Sequence, residues 1–189
     1  MVLRHLPNII SLMRLLLVPP VVFAILAQQY GWGLLLFFVA GLSDGVDGFL
    51  AKRYGWQTPL GGFLDPLADK LLMVSSIVAL AAQGHVPLWL AAVVLLRDLV
   101  IVVGALCYRV LVGPFDAAPT TISKINTLVQ ILLVLAVMAD RVLALGADLS
   151  PLFFVALVMA MSSGIDYVLQ WSRRARDAWR KGGGTPQSG

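Results

Sequence analysis

Glutamate is absent from this chain, and aspartate alone supplies its ten acidic residues. The single cysteine, Cys107, excludes an internal disulfide, and its place in an apolar run reads as a small core residue. Histidine occurs only as His5 and His85, which both read as ordinary solvated residues. Charged residues make up just 13% of the chain against 59% hydrophobic, with a mean hydropathy of +0.88, which excludes an ordinary soluble domain. The net charge of +4 is no nucleic-acid footprint, and no nucleic-acid partner is expected. The basic residues gather at helix ends and near the C-terminus, as suits a surface of anionic lipid. No internal repeat is found. Neither a cleavable signal nor an Arg/Ser-rich transit segment precedes the first apolar run, which favours a bacterial inner membrane over an imported organelle protein.

What the chain does have is apolar length. A spanning helix takes roughly 20 apolar residues, and about six such stretches use nearly all of the sequence. Spans are expected over 8–28, 31–54, 61–82, 88–111, 123–138 and 151–171, giving an all-α integral membrane protein with six transmembrane helices. Residues 1–176 form one domain in this reading, followed by a basic, Gly-rich tail over 177–189. Pro19 and Pro20 are expected to kink the first helix. Tyr30, Trp32, Tyr54, Trp56, Trp89 and Trp171 mark the interfaces. Arg4, Lys52, Arg53, Arg109, Lys124 and the C-terminal basic cluster fall on one side, and only His85 and Arg141 on the other. The positive-inside rule then places both termini in the cytoplasm.

Against that background the acids stand out. Asp44, Asp47, Asp65 and Asp69 fall in one window, flanked by Gly45, Gly48, Gly61 and Gly62. A carboxylate at membrane depth costs about 3 kcal/mol or more unless a charge sits beside it, so each is a functional candidate. The turn over 55–59 makes the second and third helices antiparallel neighbours. Asp44 and Asp47 are i,i+3 and Asp65 and Asp69 are i,i+4, so each pair shares one helix face. Counted back from the turn, Asp47 lies about 10–15 Å along one helix and Asp65 to Asp69 about 10–15 Å along the other. All four can converge just inside the cytoplasmic surface. Arg14, deep in the first span, is expected to face inward rather than snorkel. Lys70 is either a neighbour of a metal site or a compensating charge, and the adjacent Arg97 and Asp98 can neutralise one another.

Oxygen donors without nearby His or Cys select a hard divalent cation such as Mg²⁺ and argue against zinc, copper or iron–sulfur. Paired cations clamp the attacking and leaving oxygens of a phosphoryl transfer. Gly48 and Ala51 leave a flat helix surface on which a nucleotide could approach the backbone, although small residues alone would read as close helix packing. The set suits displacement at phosphorus on a lipid substrate.

The order Asp44-x2-Asp47-Gly48-x2-Ala51-Lys52-x8-Gly61-x3-Asp65-x3-Asp69 resembles the signature of the CDP-alcohol phosphotransferases, D-x2-D-G-x2-A-R-x8-G-x3-D-x3-D. Seven of its eight fixed positions match, and Lys52 stands where the family has arginine, keeping the charge but losing bidentate geometry. The resemblance implies that Asp44, Asp47 and Asp65 bind two Mg²⁺ or Mn²⁺ ions, with Asp69 beside them as general base. It implies that Asp44, Gly48, Ala51, Lys52 and Gly61 contact the CDP group. CDP-diacylglycerol would then donate its phosphatidyl group to an alcohol and release CMP. The family tends to form dimers, so a homodimer is expected.

The choice of alcohol rests on weaker likeness. LPNIISLMR, LDPLADK and PTTISKINTLVQ are similar to the glycerol-type branch of that family. Its phosphatidylglycerophosphate synthases carry Arg-Glu in the fourth span and a second arginine two turns on. Here Arg97 is followed by Asp98, and Ala105 stands where that second arginine would be. That pattern and ISKINTLVQ look more like the CMP-forming cardiolipin synthases, which implies phosphatidylglycerol as acceptor, with glycerol-3-phosphate as the alternative. Arg97, Arg109 and Lys124 are the candidates to hold the acceptor phosphate, and Asn8 and Arg14 are candidate lipid or phosphate contacts. An ion-coupled transporter would spread its acids over several helices and show inverted repeats. A purely structural module leaves four intramembrane acids unexplained.

Overall fold

The computed structural model describes the backbone of residues 6–54, 61–111 and 120–182, and the side chains at 12–43, 65, 67–107, 120–173 and 176. Every regular element among the described residues is an α-helix: α1 Leu6–Leu26, α2 Tyr30–Tyr54, α3 Gly61–Ala82, α4 Leu88–Leu111, α5 Thr121–Leu143 and α6 Ser150–Gly182. Each falls on one of the apolar stretches. Three stretches, Leu88–Cys107, Thr121–Leu143 and Ser150–Arg173, are long and apolar enough to cross a bilayer, and Leu12–Leu26 and Tyr30–Ser43 are shorter apolar helices. Leu16, Phe23, Leu96 and Phe154 point outward along these helices, which is where an integral membrane protein puts its large apolar side chains. α1 continues through Pro19 and Pro20. α6 carries on to Gly182, so the basic tail is helical over its first residues.

The bundle is divided along its length. Val21, Ile25, Ile77, Leu80, Leu90, Val94, Leu133 and Met138 form a closed apolar core in the half that holds the α1–α2, α3–α4 and α5–α6 turns. Every buried charged or amide side chain but Asp140 lies in the opposite half. Lipid is as apolar as leucine, so packing rather than water exclusion joins the helices, and small residues let them approach. At Gly33 of α2 an added Cβ would meet Ile25 Cγ1 of α1 and Met138 Sδ of α5, each at 3.4 Å.

Three features differ from the sequence expectation, among them Cys107, which is exposed rather than a small core residue. Among the described residues α2 and α3 touch each other less than each touches α1. His85 is no ordinary solvated side chain: its Nε2 lies 2.7 Å from Tyr30 Oη, with the rings edge-on. The same turns are tied by Gln83, whose Nε2 donates to Leu26 O over 3.0 Å. Gly84 makes this possible. Its φ of +75° closes α3 with His85 N donating to Leu80 O and Gly84 N to Ala81 O, the αL closure that costs glycine least.

Candidate active site

The polar half of the bundle is built around α3. Asp65 and Asp69 lie four residues apart on it, both half-buried, and Lys70 follows directly. Arg14 of α1 turns inward as expected, and its Nη1 donates to Asp69 Oδ1 over 2.6 Å. The arginine side chain is 0% exposed and the aspartate 44%, so the cation is enclosed while the carboxylate keeps an open side. A buried guanidinium needs a carboxylate in bonding geometry, or the bilayer interior would reject it.

On the other flank Lys70 Nζ donates to Asp98 Oδ1 of α4 over 2.6 Å. The same oxygen accepts from Arg97 Nη1, also at 2.6 Å, so the adjacent pair does neutralise itself. Lys70 is thereby paired with Asp98. Arg97 is held from two further helices: its Nη2 donates to Ser123 Oγ of α5 over 2.7 Å and to Ser163 Oγ of α6. Its guanidinium carbon lies 5.9 Å from the centre of the Tyr167 ring. The α4–α6 contact that carries this cradle depends on Gly104, where an added Cβ would collide with the Trp171 ring.

Of the other sequence candidates, Lys124 is exposed, on the turn of α5 after the buried Ser123. The structure therefore separates it from Arg97, which points into the bundle. Asp44, Asp47, Gly48, Ala51 and Lys52 lie on α2, Gly61 opens α3, Asn8 lies in α1 and Arg109 in α4, but their side chains are outside the described residues. His5 and Arg53 are outside them as well, His5 entirely and Arg53 in its side chain. Among the described residues no three His, Cys or Asp side chains stand together as a metal cluster, and the set includes only Asp65 and Asp69 of the four aspartates. Those two are hard oxygen donors on one helix face, a set that fits a divalent cation of the Mg²⁺ or Mn²⁺ type.

Sequence reasoning missed the cradle of Ser123, Ser163 and Tyr167. It also missed that Asn126 and Gln130, at 0% and 1% exposure, continue the buried face of α5 below Ser123. Polar residues recurring at i, i+3 and i+7 in an apolar helix were the available signal.

Comparison with known proteins bears on this arrangement. The family model described as CDP-alcohol phosphatidyltransferase matches residues 4–172. The cardiolipin synthase (CMP-forming) / mitochondrial hydrolase fusion protein of Schizosaccharomyces pombe is 34% identical over 87% of this chain and 30% of its own length. The cardiolipin synthase (CMP-forming) of Homo sapiens is 35% identical over 72% of this chain and 50% of its own. A probable phosphatidylglycerophosphate synthase of Mycobacterium tuberculosis is 29% identical over 93% of this chain and 84% of its own. The chain thus spans half or less of the cardiolipin synthases it matches.

Proposed function

This chain belongs to the CDP-alcohol phosphatidyltransferase family, and we propose that it transfers the phosphatidyl group of CDP-diacylglycerol to a hydroxyl of phosphatidylglycerol, giving cardiolipin and CMP. The reading is supported by relatives of that name at 34% and 35% identity. The observation that carries it is Asp69, a carboxylate set in an apolar chain, part-exposed and fixed by the enclosed Arg14.

In this proposal Asp69 takes the proton from the acceptor hydroxyl. The freed oxygen bonds to the phosphorus that bears diacylglycerol, and the bond from that phosphorus to CMP breaks. Arg14 orients the base. Asp44, Asp47 and Asp65, with Asp69, are the residues to hold a pair of Mg²⁺ or Mn²⁺ ions, which when bound supply electrostatic stabilisation to charge on the transferring phosphate. Gly48, Ala51, Lys52 and Gly61 face the CDP group. Lys124, exposed at the start of α5, and Arg109, near the end of α4, take the acceptor phosphate, with Arg97 deeper behind them. We place all six helices across a bacterial inner membrane, with both termini and the polar half cytoplasmic and the protein acting as a homodimer. Residues 1–176 make up the catalytic domain in this reading.

One observation favours a second acceptor, glycerol-3-phosphate: the probable phosphatidylglycerophosphate synthase matches this chain nearly end to end. Purified protein supplied with CDP-diacylglycerol and either acceptor decides between them. Cardiolipin with CMP is the expected product. Phosphatidylglycerophosphate alone overturns the acceptor, and no CMP from either overturns the activity.

A further inference from the structure

The polar half contains side chains that the proposed chemistry leaves unused. Asn126 is fully buried, and neither its amide nitrogen nor its amide oxygen finds a hydrogen-bond partner among the described residues. Gln130 Nε2, one turn deeper, is buried without a partner in the same way, and on α4 so are Asp98 Oδ2 and Arg97 Nε. A buried donor or acceptor left unmade carries its full desolvation cost, so three such atoms on one face of α5 call for a molecule that completes them. The face of α5 that carries Ser123, Asn126 and Gln130 is its packed face, and α5 packs on α2, α3 and α6. Two of those neighbours carry the aspartates. Counted from the starts of their helices, Asn126 and Gln130 lie about 8–14 Å deep and Asp65 and Asp69 about 6–12 Å deep, on the same side of the bundle.

The chemistry of the seam narrows its ligand. Amide nitrogen donates, amide oxygen accepts, and none of the orphaned side-chain atoms of Asn126 and Gln130 carries charge. Such a set matches neighbouring hydroxyl groups, each of which both donates and accepts, while Arg97, on Ser123 one turn above, is already tied to Asp98 and Ser163. We propose that Asn126 and Gln130 seat the vicinal diol of the acceptor's terminal glycerol and so present one of its hydroxyls to Asp69. This rests on the phosphatidyl-transfer reading. Phosphatidylglycerol and glycerol-3-phosphate expose the same diol, so the seat serves either acceptor, while the exposed basic residues meet the phosphate.

The orphaned atoms also set the test. An amide that waits for a ligand weakens the empty protein, so an apolar replacement of similar volume removes that cost and the seat together. Thermal unfolding in detergent micelles is followed for the wild type, Asn126→Leu and Gln130→Leu. Each is measured alone, with short-chain phosphatidylglycerol, and with short-chain phosphatidylethanol, which keeps the phosphodiester but lacks the diol. The wild type is expected to gain more from phosphatidylglycerol than from phosphatidylethanol. The variants are expected to unfold at or above the wild-type temperature and to lose that difference. In turnover assays their KM for the acceptor rises about tenfold, the worth of one or two hydrogen bonds, with the KM for CDP-diacylglycerol unchanged. Equal shifts from the two lipids in the wild type, or variants that keep both the difference and the acceptor KM, overturn the proposal and leave buried water as the partner. Should Asn126→Leu fail to fold, Gln130→Leu reads the same seam. Wild-type protein that releases no CMP with either acceptor overturns the transfer reading instead, and the diol-dependent shift still decides the seat.

Discussion

Arg14 and Asp69 stand 55 residues apart in sequence and 2.6 Å apart in the bundle, one wholly enclosed and the other open on one side. The arginine is committed to holding a carboxylate, and the carboxylate side chain is 44% exposed. Asp69→Asn keeps the shape and one acceptor oxygen but removes the base. CMP release from folded protein should fall about 10²–10⁴-fold, the usual worth of a general base, and the unfolding temperature should drop as the enclosed Arg14 loses that counter-charge. Turnover near wild type removes Asp69 from that role.

Removal of divalent cations addresses the other aspartates. EDTA should stop CMP release, and Mg²⁺ or Mn²⁺ should restore it, since oxygen donors alone favour hard cations. Activity that persists in chelator refutes the metal site.

Asp98 carries two cations on one oxygen, Lys70 and Arg97, whose side chains are 43% and 4% exposed. Asp98→Asn leaves the enclosed Arg97 without its counter-charge and should destabilise by about 3–5 kcal/mol, the scale for stranding a buried partner. Lys70→Met breaks the bond from its exposed end and should cost clearly less. Unfolding temperatures of the two variants in the same detergent give the comparison, and equal losses contradict it.

The α4–α6 seam is set by Gly104, into which the Trp171 ring fits. Gly104→Ala forces that ring away, at about 1–3 kcal/mol or more for overpacking. A lower unfolding temperature and altered tryptophan emission are expected. Full wild-type stability would show that the ring moves aside freely.

At the opposite end, burial and the nearby Arg141 hold the His85 imidazole below its ordinary value of 6.5, with Asp140 opposing and Tyr30 Oη bonded to Nε2. A depressed histidine stabilises the fold fully above its unfolded pKa, and that contribution is lost as pH falls from about 6.5 through the folded value. Stability should therefore decline on acidification across that window, and His85→Gln should flatten the decline. An identical pH profile in the variant rules out His85 as its source.

The sequence by itself determined the helices, the pairing of acids on single helix faces and the inward turn of Arg14. These follow from apolar length, from a 3.6-residue period and from the cost of a charge in lipid, all of which act within one segment. Seven of eight motif positions fixed the chemistry that the acids suit before any contact was known. Only the tertiary structure decided that Arg14 meets Asp69, that Lys70 meets Asp98, that Ser123, Ser163 and Tyr167 close around Arg97, and that α1 packs on both α2 and α3. Residue spacing states which side chains share a face but not which neighbouring helix that face meets. The rotation and order of packed helices are set by the small residues and turns of the whole bundle together.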